Sequence, residues 1–254
     1  MKIILKGSLM LVWLIAFGCG SGSKPASNPV GTGALVPLKV GNRWTYQVTD
    51  IDGTISAKVQ GVTAEEPVGG TGAFASTVAF KLVTGNKFAD VNGDVSYQGV
   101  MDSRLVRFRE ISIDGGSGRV KQEEYYDPPK LRVDDTMEHT TAGTSWPESY
   151  LDFVVDTPPA TAIDGGQPTS DGGLDDAGPG LVTTFFSVID VWKVISASDV
   201  VTVPAGTFKA LALQRLGNSG KTDKTFWFVR GVGKIKESGV GDQTEELSSY
   251  SLTP

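Results

Sequence analysis

RWTYQVTD, at residues 43–50, decides the fold, because large apolar and polar side chains alternate along it. Trp44, Tyr46 and Val48 fall on one face, and the residues between them are polar. A period of two residues is typical of a half-buried β-strand. The Asp52-Gly53 turn signal comes next, so the folded part of the chain begins with a predicted β-hairpin.

The same signals continue to the end of the chain. Further strands are predicted at 55–60, 73–83, 95–101, 104–113, 119–126, 149–155, 181–196, 199–203, 207–216, 223–229, 233–238 and 244–252. Residues 130–150 are poorly patterned, and only a short strand or helix is expected there, after a turn signal at Asp127-Pro128-Pro129. Short strands separated by turns predict a mostly β domain over residues 38–254: a single curved antiparallel sheet or an incomplete β-barrel.

Composition excludes several classes of function. The chain of 254 residues has a net charge of −6, which argues against nucleic-acid binding. It contains one His and one Cys, too few for a zinc site, and His139 sits in a polar stretch where a surface position is expected. Adjacent carboxylates such as Glu123 and Glu124 point to opposite faces of a strand. We therefore predict a protein without enzymatic activity, catalytic residues, metal or cofactor.

The first residues have the parts of an export signal, predicted over residues 1–18. Lys2 and Lys6 precede an apolar run from Leu9 to Phe17 that is too short to span a bilayer. The following Ala16-Phe17-Gly18-Cys19 resembles the bacterial lipobox. That resemblance implies cleavage before Cys19 and attachment of a lipid to its thiol. Because Gly20 rather than Asp follows, the rule for enteric lipoproteins implies an anchor in the outer membrane of the cell envelope.

Two stretches are predicted to lie outside the core. Residues 19–37 are rich in Gly, Ser and Pro and are expected to form a flexible tether. Residues 156–180 contain ten Gly or Pro and five Asp, so a disordered insert is predicted there. Asp171, Asp175 and Asp176 allow a calcium loop as an alternative, although the ligand spacing of such a loop is absent. A linker between two domains is the other alternative.

Three segments together carry a resemblance to a known group. They are PLKVGNRWTYQV at 37–48, VTVPAGTFKAL at 201–211 and FWFVRGVGKIKES at 226–238. As a set they resemble poorly characterised bacterial lipoproteins and periplasmic proteins that include the TapB-like family. The resemblance implies a sheet similar to the open half-barrels of the LolA/LolB lipoprotein carriers, and by analogy a lipid ligand.

Two functional hypotheses follow. In the first, the half-barrel binds an apolar or lipidic ligand through residues that the sequence does not identify. In the second, the sheet is a scaffold for envelope partners. A large apolar cavity favours the first, and a filled interior with an exposed apolar patch favours the second. Phe226, Trp227 and Phe228 place aromatic side chains on both faces of one strand, so Trp227 is expected either to line a cavity or to pack in the core.

Overall fold

The chain forms a closed barrel of twelve antiparallel strands in a computed structural model that describes residues 33–157, 182–217, 224–239 and 243–254. The strands are β1 (Arg43–Thr49), β2 (Ile55–Pro67), β3 (Val78–Gly85), β4 (Asp94–Met101), β5 (Arg104–Ile113), β6 (Val120–Asp134), β7 (Ser145–Asp156), β8 (Val182–Val203), β9 (Gly206–Gly217), β10 (Lys224–Val229), β11 (Gly233–Gly239) and β12 (Thr244–Ser251). Within those ranges the helical structure is a single 3₁₀ turn at Glu138–Thr140. No helix in the described part is both long and apolar enough to cross a bilayer.

The mostly β prediction is confirmed, but the prediction of an open sheet or incomplete barrel is wrong. Each strand pairs with its chain neighbours, and β1 also pairs with β12, with Trp44 opposite Tyr250 and Val48 opposite Glu245. Closure gives both edges of β1 a hydrogen-bonding partner, so no edge is left there to pair with another chain. Local alternation is the same in an open sheet and in a closed one, because it does not report which strands meet.

The region from 127 to 145 also differs from its prediction. Asp127-Pro128-Pro129 does not end the strand, because Asp127 pairs with Leu151 of β7 and β6 continues to Asp134. The proline residues coincide with a register shift between β5 and β6. β7 begins at Ser145, so both ends of the poorly patterned stretch are strand.

The strands on either side of the predicted insert belong to the same barrel. Asp156, the last residue of β7, pairs with Val182, the first residue of β8. The first residue of the predicted insert, Asp156, therefore belongs to β7, and residues 158–180 of the insert lie outside the described residues. The predicted signal peptide at 1–18 and Cys19 also lie outside them.

The N-terminal segment packs against one end of the barrel. Leu35, which the sequence assigns to the tether, is buried against Leu131, Trp146 and other core residues. Its backbone N–H donates to Asp135 Oδ2 at 3.2 Å. Nearby, the Gly231 N–H donates to the carbonyl of Ala34. The packed structure therefore begins several residues before the domain boundary expected at residue 38.

Candidate functional site

The interior of the barrel, here called the lumen, contains a buried network of charges. Lys234 of β11 bonds to Glu237, and to Glu245 of β12 at 2.8 Å. Lys224 lies 3.0 Å from Glu237, and Lys58 pairs with Glu245. Burial alone raises the pKa of Glu237, but the ammonium groups of Lys234 and Lys224 outweigh it and hold that pKa well below its ordinary value. The network keeps its groups charged inside the protein.

Tyr46 of β1 completes this first network. Its ring lies 5.2 Å from the Lys234 ammonium and 5.6 Å from that of Lys58, within the range of cation–π attraction. Its hydroxyl donates to the backbone carbonyl of Lys234 at 3.1 Å. Burial raises the pKa of Tyr46 far above its ordinary value, so the phenol stays neutral.

A second network extends from β5 to β7. Arg107 pairs with Glu110, whose carboxylate also accepts a hydrogen bond from the Tyr126 hydroxyl at 3.2 Å. The ammonium of Lys130 lies 4.8 Å from the Tyr126 ring and 5.3 Å from the Tyr150 ring. Charged and phenolic groups from neighbouring strands thus fill this part of the lumen, because alternate residues of each strand point inward.

A small cavity lies within the lumen. It has a volume of about 50 Å³ and is lined by Val36, Trp44, Tyr46, Gln60, Leu82, Gln98, Leu105, Arg132, Phe226, Phe228 and Lys234. Such a volume holds a few water molecules, since one water needs roughly 10–15 Å³ by the same measure. A drug-sized ligand needs roughly 300–1,000 Å³. The cavity is therefore too small for a lipid chain.

A larger pocket of about 450 Å³ opens where β6, β7 and β8 approach the connection between β7 and β8. Glu124, Asp152 and Asp156 lie in its wall beside Val154 and Phe186. An acyl chain placed against these three carboxylates would remove water from charged groups, which is costly.

The predicted surface histidine is half-buried in a defined cluster. His139 stacks on Trp146 with ring centroids 3.8 Å apart, and its Nδ1 lies 2.7 Å from Asp134 Oδ2. Asp134 also accepts hydrogen bonds from the backbone N–H and hydroxyl of Thr136, and lies 3.2 Å from Arg104 Nε. These contacts hold the connection between β6 and β7. The polar sequence around His139 gave no signal of them, because Trp146 and Arg104 come from other parts of the chain.

The outer side of β7 and β8 exposes large apolar side chains. Leu151, Phe153, Phe185 and Ile189 form this surface, which we call the β7–β8 face. Phe153 and Phe185 are paired across the two strands, with ring centroids 6.3 Å apart. Phe185 is 70% exposed, and Leu151 and Ile189 are both exposed by more than a third. The neighbouring inward residues, such as Tyr150 and Val188, are buried.

Trp227 does not line the lumen. Phe226 and Phe228 face the cavity, whereas Trp227 packs on the other side of β10, against a core cluster that includes Val201 and Phe208 of the β8–β9 hairpin. Its indole Nε1 donates to Asp199 Oδ2 at 2.8 Å. The chain itself therefore covers the second aromatic face of β10.

The remaining sequence-predicted site residues cannot be placed. Cys19, Asp171, Asp175 and Asp176 all lie outside the described residues. Within the described ranges, no group of three or more His, Cys, Asp or Glu side chains is arranged to hold a metal ion.

The fold and its interior define a closed antiparallel barrel with a charged lumen. No protein-family model and no curated protein matches the chain. Among solved structures it is similar to a crystal structure from Parabacteroides distasonis described as a "putative lipoprotein", with 11% identity and a TM-score of 0.41, over 86% of this chain and 99% of that one. A likeness at this level supports no conclusion about this chain. The resemblance to TapB-like proteins stays a prediction.

Proposed function

We propose that this protein is a lipid-anchored lipoprotein of the bacterial envelope that acts as an interaction scaffold and has no enzymatic activity. The anchor would be Cys19, on the strength of the lipobox-like Ala16-Phe17-Gly18-Cys19, and Gly20 favours the outer membrane. The observation that carries the scaffold role is the exposed apolar β7–β8 face, on a barrel whose central cavity is only about 50 Å³.

The lumen argues against the first hypothesis, a lipid carrier. A lipid chain placed beside Lys234, Glu237 and Glu245 would separate or dehydrate paired charges, and removing water from an ion costs several kcal/mol. The 50 Å³ cavity offers no room for such a chain without moving these groups. A non-polar ligand inside the barrel is therefore the less favoured function.

The β7–β8 face fits a protein partner with a complementary apolar surface. Its four side chains are uncharged, lie on two adjacent strands and project from a rigid sheet. Contiguous exposed apolar side chains on a soluble domain are typical of interaction sites. Because Phe185 is the most exposed of them, its burial against a partner would remove the most apolar area from water.

The anchor is tested by replacing Cys19 with Ser. We expect the variant to leave the membrane fraction or to stay uncleaved, and to lose labelling by radioactive palmitate. Normal processing and membrane association of Cys19→Ser would contradict the anchor.

The scaffold role is tested by photo-crosslinking in intact cells. A photoreactive residue replaces Phe185, and a control carries it at Ile55, which is similarly exposed but lies at the start of β2. We expect a discrete adduct from position 185 and none from 55, with the same partner recovered when it is tagged in the reciprocal experiment. Equal adducts at both positions, or none at 185, would contradict the proposal.

A lipid-binding assay separates the two hypotheses. The unmodified protein is titrated with an environment-sensitive fluorescent fatty acid, and we expect no saturable rise in emission. Stoichiometric binding that is lost when Phe228 is replaced by Ala would restore the carrier hypothesis.

A further inference from the structure

Arg132 of β6 is a half-buried cation that borders a cavity. It lines the lumen cavity together with Lys234, Gln60 and Gln98. To residues in the described ranges it makes no hydrogen bond or ion pair, and its interactions with neighbouring charges act over longer distances. Lys234, in contrast, bonds to two carboxylates.

The carboxylates that attract Arg132 are already engaged by other cations. The carboxylates that attract its positive charge are those of Glu110 and Glu237. Glu110 is paired with Arg107, and Glu237 with Lys224 and Lys234. Neither carboxylate can move to Arg132 without leaving its present partner.

Other positive charges near Arg132 add to the excess of positive charge around it. Burial and, after it, the nearby guanidinium groups of Arg107 and Arg215 together lower its pKa to about 10. Arg132 nevertheless remains charged at neutral pH. A charge that is partly removed from water is stabilised by an opposite charge beside it. The surroundings of Arg132 therefore favour an additional anion.

Apolar side chains form much of the cavity lining, here called its apolar wall. They are Leu82, Leu105, Phe228, Val36, Trp44 and Phe226. An inorganic anion would pair with Arg132 but would leave a hydrated ion against the apolar wall. A molecule with one charged end and a short apolar end pairs with Arg132 and also contacts the apolar wall.

We propose that the lumen cavity binds a small monocarboxylate of two or three carbon atoms. Its carboxylate would accept hydrogen bonds from the guanidinium of Arg132, whose planar fork suits a two-oxygen anion. Its methyl or ethyl group would lie against Leu82, Leu105 and Phe228. The volume of about 50 Å³ limits the ligand to this size.

The test is calorimetric titration of the full protein with sodium propionate. Acetate and propionate are compared with hexanoate, phosphate and sulfate, at constant ionic strength set with sodium chloride. We expect one saturable site for acetate and propionate. No binding of either, or binding of phosphate or sulfate as tight as that of propionate, would overturn the proposal.

Variants connect the binding to the cavity. Arg132→Met is expected to weaken propionate binding at least tenfold, while the control Arg43→Met, which removes an exposed arginine of β1, leaves it unchanged. If Arg132→Met does not fold, Leu105→Phe fills the cavity and keeps the charge, and it should weaken binding by a similar factor. Unchanged binding in a folded Arg132→Met variant, or in Leu105→Phe, would place the site elsewhere and refute the proposal.

Discussion

Replacing Trp44 by Phe tests how the barrel is closed. Trp44 is 2% exposed on β1, and its Nε1 donates to the buried carbonyl of Val232 at 2.5 Å. Phe cannot donate, so that carbonyl loses a partner where water does not replace it, which costs about 1–3 kcal/mol. The smaller ring also buries roughly 40 Å² less apolar area, or about 1 kcal/mol. We expect the free energy of unfolding to fall by about 2–4 kcal/mol.

Trp227→Phe is the matched control. The same atoms are removed and one indole hydrogen bond is again lost, but Trp227 and its acceptor Asp199 are only half-buried. Water can hydrate Asp199 in the variant, so we expect a loss of only about 0.5–1.5 kcal/mol.

Both variants are measured by guanidinium unfolding, followed by circular dichroism, and by thermal unfolding. For a domain of this size, 1 kcal/mol corresponds to about 2–4 °C, so Trp44→Phe should melt about 5–15 °C below the parent. The dependence of the unfolding free energy on denaturant should stay unchanged, since both variants keep the barrel. Equal losses for the two variants, or a larger loss for Trp227→Phe, would refute the reasoning.

Three further predictions concern the charges, the closure and the insert. Glu237 and Glu245 have folded-state pKa values below the ordinary value, because the opposing lysines outweigh the effect of burial. Their contribution to stability is present above the unfolded pKa of about 4.3 and is lost as the pH falls through the folded pKa values. Unfolding titrations from pH 6 to pH 3 should therefore show a falling stability, and Glu237→Gln should make this pH dependence shallower. Gly233→Ala should cost about 1–3 kcal/mol of stability in the same unfolding assay. Gly233 has a φ of +113°, and an added Cβ would lie 3.0 Å from Trp44 Nε1. A neutral effect would show that β11 can shift. Replacing residues 158–181 by a four-residue turn should raise stability by about 1–2 kcal/mol through the shorter loop, and a large drop in melting temperature would instead show that the insert packs.

Much of the strand pattern was predictable because it is local. The alternation in 43–50 gave the inward face of β1, where Trp44, Tyr46 and Val48 are all buried. The break between the predicted strands at 199–203 and 207–216 also matches the connection between β8 and β9. The Asp127–Pro129 signal failed, because pairing with β7 carried the strand through it.

The candidate site was not predictable in the same way. Lys58, Lys234 and Glu245 each lie on a strand that also carries apolar residues, and each would be read as a solvent-facing residue. Their contact depends on strands that are up to 187 residues apart in the chain. The β7–β8 face was missed for a related reason, since an apolar residue on a strand is ordinarily assigned to the core.

By itself, the sequence determined that the chain is rich in β-strands, and roughly where each strand lies, because side-chain alternation and turn chemistry act between near neighbours. It also supplied the lipobox-like residues, on which the predicted anchor rests. Only the tertiary structure decided that β1 meets β12, that ion pairs lie inside the barrel and that apolar side chains remain outside on β7 and β8. Those features depend on which distant strands pair and on which side of each strand the barrel encloses, and the pattern of a single strand contains neither.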